Sequence, residues 1–327
     1  MVYFDPEFDK LHDALEKVLK GSIDFEEASR DGQHLLILAS ADNKPGDFYI
    51  YSRATRSLLE VGPVRPELDG RALATMQSIE VPASDGAMIP AYLTLPPGSS
   101  GKGLPAVVLP HGGPSARDEW GFDWLAQFLA ARGYAVIQPE FRGSDGYGDA
   151  WLNKNGFQNW RTSIGDVTAA AKYLVGKGIA DPKRMAIMGW SYGGYAALQS
   201  AATEPALYKA AIAIAPLTDF AMAERESEGF TNSDLVKRII GKGPQLVEGS
   251  PLQQASRIKV PVLLVHGDMD ATVSIHESEA MLDALKKAGT AVEMLTFKGL
   301  NHQLDDTDAR IAMLTKAGEL LDRTIGH

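Results

Sequence analysis

The segment Gly189-Trp190-Ser191-Tyr192-Gly193-Gly194 restricts the possible folds more than any other stretch of the chain. It follows a short apolar run, Arg184 to Met188, and precedes a helix-forming run, Tyr195 to Ala202. A strand that reverses into a helix through Gly-x-Ser-x-Gly needs small residues around the turn, because a side chain at Gly189 or Gly193 would meet neighbouring backbone. Such a turn lifts the Ser191 hydroxyl off a sheet edge and sets it beside a helix N-terminus, where negative charge is tolerated. Taken alone, the pattern also fits a plain Gly/Ser turn. Its meaning depends on what the other strand ends carry.

Around this turn, strands alternate with helices. Strands are expected at Gln77–Pro82, Met88–Leu95, Ala106–Pro110, Tyr134–Gln138, Arg184–Met188, Ala210–Ala215, Val262–His266 and Ala291–Phe297. Helical patterns fall near 118–132, 161–176, 191–203, 232–241, 276–288 and 306–325. Apolar runs without alternation, such as Ala106-Val107-Val108-Leu109 and Val262-Leu263-Leu264-Val265, read as strands buried on both faces of a mostly parallel sheet. Residues 75–327 are therefore expected to form a doubly covered α/β domain. The connection 217–257 is longer than a simple crossover and is expected to contribute to a substrate pocket.

The first 74 residues differ. Residues 1–21 hold a short amphipathic helix, with Phe8, Leu11, Leu15, Val18 and Leu19 at helical spacing, Gly21 as its stop and His12 expected at the surface. Residues 22–61 carry four short strand-like runs separated by turn signals, a pattern similar to one β-propeller blade. A single blade leaves two unpaired edges that favour self-association. Residues 62–74, with Pro63, Pro66 and Gly70, read as a linker.

Composition excludes several classes. The net charge of -10 argues against general binding to nucleic acid, whose phosphates require basic surface. The chain has no cysteine, which removes disulfides, thiolate catalysis and cysteine-ligated metals. No apolar run approaches the roughly 20 residues of a membrane span. The acidic start Met-Val-Tyr-Phe-Asp-Pro-Glu lacks the features of a signal peptide, and a cytoplasmic location is expected.

The strand ends supply the missing chemistry. In α/β-hydrolases a nucleophilic serine is followed in the chain by an acid and then a histidine. After Ser191, the buried strand ending at His266 leads into Gly267-Asp268-Met269-Asp270, and a carboxylate there lies on the sheet edge that binds ligands. After the last strand, Lys298-Gly299-Leu300-Asn301-His302 brings an imidazole to the same edge. Serine needs a base to remove its proton, and a carboxylate fixes the tautomer of that base. Spacing leaves Asp268 and Asp270 both open. His266 is expected to be structural, and His34, His276 and His327 are weaker candidates for the base. His111-Gly112-Gly113-Pro114 matches a Gly-rich turn whose backbone N–H binds an oxyanion, with a second donor from Tyr192, the residue after the nucleophile. A metal set of Asp268, Asp270 and His276 lacks zinc-type spacing, and no cofactor is expected. Gly143-Ser144-Asp145-Gly146-Tyr147-Gly148 lacks the strand–turn–helix frame of a phosphate loop.

These residues together resemble the catalytic domain of the prolyl oligopeptidase family of serine peptidases, closest to its acylaminoacyl peptidase and dipeptidyl peptidase branches. The likeness rests on His111-Gly112-Gly113-Pro114, Phe141-Arg142-Gly143-Ser144 with Gly146-Tyr147-Gly148, Gly189 to Gly194, His266-Gly267-x-x-Asp270-x-x-Val273, and His302, in that order across residues 75–325. It implies an α/β-hydrolase fold, the triad Ser191, Asp270 and His302, and oxyanion N–H groups from Gly113 and Tyr192. It also likens residues 22–61 to the last propeller blade. Two departures stand out. At most one blade is present, and the position two residues after Asp270, often Asn in the dipeptidyl branch, is Thr272.

The expected function is that of a serine hydrolase cleaving short or blocked peptides, acylaminoacyl bonds and small esters through an acyl-enzyme. The alternatives are a carboxylesterase with little peptidase activity and an assembly module pairing through its blade edge. A homo-oligomer without nucleic-acid or membrane partners is expected.

Overall fold

Three of the apolar runs, Ala135–Pro139, Ala210–Ile214 and Val262–Gly267, are buried at every position, as strands covered by helices on both faces must be. A computed structural model describes residues 3–153 and 156–326. Its strands are β1 (Ser22–Ala28), β2 (His34–Ala41), β3 (Lys44–Ser52), β4 (Ser57–Pro63), β5 (Met76–Pro82), β6 (Met88–Thr94), β7 (Leu104–Val108), β8 (Ala135–Pro139), β9 (Ala180–Trp190), β10 (Ala210–Ile214), β11 (Val262–Gly267) and β12 (Val292–Phe297). Among the described residues, β5–β12 form an eight-stranded sheet in the order β12-β11-β10-β9-β7-β8-β6-β5. The six strands β7 to β12 run parallel, and β6 and β5 extend that edge antiparallel.

The helices are α1 (Pro6–Leu19), α2 (Trp124–Ala131), α3 (Asp149–Leu152), α4 (Trp160–Gly176), α5 (Tyr192–Thr203), α6 (Phe220–Glu226), α7 (Ser233–Ile240), α8 (Gln245–Glu248), α9 (Ile275–Lys287) and α10 (Thr307–Thr324). Alternate strand residues divide between two cores. Ala106, Val108 and Ile187 face Val167 of α4, Ala197 of α5 and Met281 of α9. Val107, Met188 and Ile212 face Leu129 of α2 and Met313 of α10. This is the doubly covered α/β arrangement expected from the sequence.

The first four strands form a separate antiparallel sheet in chain order, β1-β2-β3-β4. Asp5 caps α1 through Glu7 N, and Pro6 opens the helix without losing a used donor. Leu15 of α1 packs against Ile23, Leu35 and Ile37, and burying each such side chain contributes about 1.5–3 kcal/mol. The expectation that His12 lies at the surface is not met. It is 7% exposed and packs against the rings of Tyr3 and Phe25, because the face carrying Leu15 also carries His12.

One buried side chain joins the small sheet to the large one. Gln127 of α2 donates to Asp42 O (2.9 Å) and Ala74 O (2.8 Å) and accepts from Ala74 N (2.9 Å). Asp42 Oδ2 accepts from Met76 N at 2.7 Å, at the start of β5.

The helix expected from 118 begins instead at Trp124. Asp123 caps it by accepting from Leu125 N and Ala126 N, and residues 118–123 form a loop. The long connection 217–257 folds into α6, α7 and α8, of which only α7 shows in the hydrophobic pattern.

Candidate active site

Strand β9 ends at Trp190 and α5 begins at Tyr192, so a single residue makes the turn. Ser191 adopts φ 59° and ψ −120°, a left-handed conformation that is costly for a side-chain-bearing residue and recurrent at functional sites. Its N–H donates to Ile214 O at 2.7 Å, which fastens the turn to β10. A Cβ added to Gly189 would fall on the backbone of Gly193, and one added to Gly193 on Pro110 O. Small residues along α5, among them Gly194, Ala197 and Ala201, let the helix lie close to the sheet.

Asp270 lies three residues beyond β11. Its Oδ1 accepts from Thr272 N (2.8 Å) and Val273 N (2.9 Å), and its Oδ2 lies 2.6 Å from His302 Nδ1. The side chain has no exposed surface. Burial works to raise its pKa, but hydrogen bonds from His266, His302 and Val273 N–H outweigh it and hold the carboxyl well below the usual carboxylate range. Asp270 is therefore an anion at neutral pH, and His302 Nδ1–H donates to it. That tautomer leaves His302 Nε2 with a lone pair and, among the described residues, no hydrogen bond. The His302 loop is tied to the turn because Trp190 Nε1 donates to His302 O at 2.9 Å. Ser191 Oγ likewise forms no hydrogen bond among the described residues.

The two open aspartates are separated by their contacts. Asp268 Oδ1 accepts from Gly299 N at 2.5 Å and so secures the turn after β12, while Asp270 meets the imidazole. His276 is exposed and pairs with Glu226 at 3.0 Å, so Asp268, Asp270 and His276 do not converge on a common point. His34 is exposed on β2, and His327 lies outside the described residues. Among the described residues the group of side chains close enough to share a cation is His12, Asp13 and Glu16 on α1.

His266 is fully buried and structural as expected, but the sequence did not reveal what it supports. Nδ1 lies 2.7 Å from Ser278 Oγ, and Nε2 lies 3.0 Å from Val273 O and 3.2 Å from Asp270 Oδ2. An Nε2–H tautomer, accepting at Nδ1 from Ser278, satisfies every one of these contacts. The signal was present in the sequence, since His266 and Asp270 are four residues apart at one strand end.

Gly112 abuts Ser191, and a Cβ there would lie 3.5 Å from Ser191 Cβ. Gly113 takes φ 117°, a conformation suited to glycine. Neither Gly113 N–H nor Tyr192 N–H, at the first turn of α5, is used in a hydrogen bond among the described residues. The Tyr192 side chain turns away, donating to Gly156 O at 2.7 Å and packing on Phe141, Phe157 and Tyr195.

Two cavities flank this edge. One of about 560 Å³ is bordered by Gly113, Pro114, Phe157 and Arg238. The other, about 340 Å³, is bordered by Leu217, Phe230, Val236, Asp270 and Val273. Helix α7 supplies Val236 to one and Arg238 to the other, and so stands between them. Just beyond β8 lies Glu140, with no exposed side-chain surface, and near it the half-buried Asp118. Glu140 Oε1 accepts from Asp118 N at 2.8 Å. Burial and then the Asp118 charge push Glu140 up to about 8. Burial and then the Asp123 charge push Asp118 up to about 7.

A family model described as the prolyl oligopeptidase family matches residues 120–327. The chain belongs to the prolyl oligopeptidase family. Its relatives there include dipeptidyl aminopeptidase BIII of Pseudoxanthomonas mexicana, 31% identical over 305 residues that make up 88% of this chain and 44% of that protein. They also include the acylamino-acid-releasing enzyme of Rattus norvegicus, 28% identical over 63% of this chain and 29% of that protein. Among solved structures, a puromycin-hydrolyzing peptidase of Mycobacterium tuberculosis superposes with a TM-score of 0.81 at 28% identity, covering 90% of this chain and 46% of that one. The chain spans less than half the length of the curated relatives that it matches most fully. Its larger sheet has the α/β-hydrolase fold expected from the sequence. No helix among the described residues is long and apolar enough to cross a membrane.

Proposed function

We propose that the chain is a serine peptidase and esterase that works through an acyl-enzyme. Ser191 Oγ attacks the carbonyl of an amide or ester, and His302 Nε2 takes its proton. Asp270 holds the imidazole tautomer and stabilises the imidazolium. Gly113 N–H and Tyr192 N–H donate to the oxyanion, whose charge exists fully only after attack, so they lower the barrier rather than merely bind substrate. His302 then gives the proton to the leaving amine or alcohol, and water repeats the sequence to release the acid.

The observation that carries this reading is the 2.6 Å contact between His302 Nδ1 and Asp270 Oδ2, in a loop that Trp190 ties to the turn holding Ser191 at φ 59°. Short or N-blocked peptides, acylaminoacyl amides and small acyl esters are the proposed substrates. The names of the relatives support amide bonds, and one cavity borders Gly113 while the other borders Asp270. Purified protein is expected to hydrolyse p-nitrophenyl acetate, an acylaminoacyl p-nitroanilide, or both. Inertness toward both, in protein shown to be folded, would count against the reading. Comparing kcat/KM on an ester and an anilide of the same acyl group ranks esterase against peptidase.

Self-association belongs to the same proposal and rests on β4. This strand ends its sheet, and Leu59 and Val61 on it are 65% and 58% exposed. Light scattering at micromolar concentration should give a multiple of the chain mass, and a monomer removes this part.

A further inference from the structure

The cavity of about 340 Å³ beside Asp270 has walls of two kinds. Leu217, Phe230, Val236 and Val273 are apolar, while Glu226, the last residue of α6, and Glu277, in the first turn of α9, bring two carboxyls. No lysine or arginine is among the described residues that border it. The turn from Asp270 to Ser274 forms one wall, so a group seated in the cavity adjoins the carboxylate that meets His302. Resting on the acyl-enzyme mechanism proposed for Ser191, we infer that this cavity receives a basic side chain, arginine or lysine, of the substrate residue whose carbonyl is attacked, and that Glu226 and Glu277 select it.

Glu277 is 1% exposed, and its two oxygens differ. Oε2 accepts from Thr218 N (2.8 Å) and Asp219 N (2.8 Å) and lies 2.6 Å from Thr218 Oγ1. These bonds tie the start of α9 to the residues that open α6, and so fix the carboxyl in place. Oε1 is buried and meets no donor among the described residues. A carboxyl oxygen in that position is unfavourable unless a ligand N–H reaches it. Glu226 repeats the pattern nearer the solvent. Its Oε1 is 3.0 Å from His276 Nδ1, and its Oε2 has no hydrogen bond among the described residues.

The two carboxyls act on each other. Burial pushes Glu277 up to about 7 against the hydrogen bonds of Thr218 and Asp219, and the Glu226 charge adds to the rise. What the pair lacks is a cation, which would favour the ionised form of both. Arginine and lysine carry an apolar stem and a charged head, matching the apolar and acidic walls together. A guanidinium has five N–H donors and no acceptor, so it can serve carboxyl oxygens on more than one side. Norleucine would fill the apolar part but leave both oxygens without a donor, and a glutamate side chain would add a third carboxylate.

The test measures kcat/KM on the N-acetyl p-nitroanilides of arginine, lysine, norleucine and glutamate, which differ only in the residue whose carbonyl is attacked. The ester p-nitrophenyl acetate, which has no side chain to place, is measured beside them. Arginine and lysine are expected to exceed norleucine about 10- to 100-fold, the scale of one hydrogen bond to a charged group, with glutamate slowest. E226Q and E277Q should each reduce the arginine-to-norleucine ratio about tenfold, a change that loss of fold would not produce, since it lowers both rates alike. Gln at 277 keeps an oxygen for Thr218 N and Asp219 N, and a thermal melt checks that the variant folds. Should E277Q not fold, E226Q decides. A wild-type ratio near one, a preference for glutamate, or a ratio unchanged in either folded variant overturns the inference. A wild-type protein inert toward the ester and all four anilides overturns the proposed function, and this inference with it. Hydrolysis of the ester with no preference for basic anilides, or with no anilide turned over, overturns the inference alone.

Discussion

His266 Nε2 lies 3.2 Å from Asp270 Oδ2, the oxygen that also meets His302 Nδ1. Asp270 thus accepts from two imidazoles and two backbone N–H groups, and each donor restricts where its carboxylate points. Removing the His266 donor takes away a hydrogen bond to a charged group, worth about 1.5–3 kcal/mol. H266A is expected to lower kcat by about 10- to 100-fold, with KM changing less, if that energy acts through the orientation of the triad. H266Q, whose amide reaches the Nε2 position, should retain more activity than H266A. Steady-state kinetics on one ester, with melts as the folding control, check this. A kcat unchanged in H266A would show that the backbone N–H groups hold Asp270 unaided.

The two aspartates near β11 should behave differently. D270N deprives His302 of the acceptor for Nδ1–H, and a loss of about 10⁴-fold in kcat is the expected scale. D268N keeps an oxygen for Gly299 N and should stay within about tenfold of wild type, as one neutral hydrogen bond is worth about 0.5–1.5 kcal/mol. Parallel kinetics on the two variants decide it. Equal losses would contradict the contacts described for them.

Glu140 makes stability depend on pH. Its folded pKa of about 8 stands above its ordinary 4.5, so between those values the folded state binds more protons than the unfolded one. Its contribution is fully present below about pH 4.5 and is lost as pH rises through about 8. Gln at this position never ionises. E140Q should therefore melt above wild type at pH 8–9, by about 1–3 kcal/mol in stability, with the difference shrinking toward pH 5. Melting curves across pH 5–9 test the sign. A gain that grows toward acid would refute the assignment.

Gln127 is expected to act as a clasp. Q127A leaves Ala74 N, Ala74 O and Asp42 O without their partner, at about 1–3 kcal/mol for each buried group left unpaired. Urea unfolding should show a destabilisation of several kcal/mol, or an early transition confined to the first 74 residues. Neither appearing would mean that water replaces the amide.

The chain displays its fold in sequence where burial is extreme. Val262–Val265 and Ala106–Val108 leave no polar position, and Ser191 sits between a strand and a helix that both read clearly. Features that depend on packing were not legible. The His12 face was misjudged because spacing alone does not say what a short helix docks on. Helix α6 was missed because its seven residues, Phe220–Glu226, carry too little periodicity, although Asp219 caps it by accepting from Met222 N. Asp268 and Asp270 are equivalent to any spacing argument, and only the resemblance, then the contact with His302, separates them. The link from His266 to Asp270 depends on how two side chains four residues apart are turned, which their spacing permits but does not fix.

The central claim is that Ser191 is the nucleophile, activated by His302 and Asp270. Labelling the folded protein with a fluorophosphonate and locating the adduct by peptide mass spectrometry tests it most directly. A stoichiometric adduct on Ser191, absent in S191A and slowed in H302A, is predicted. An adduct on another residue, or labelling that persists in S191A, would contradict it.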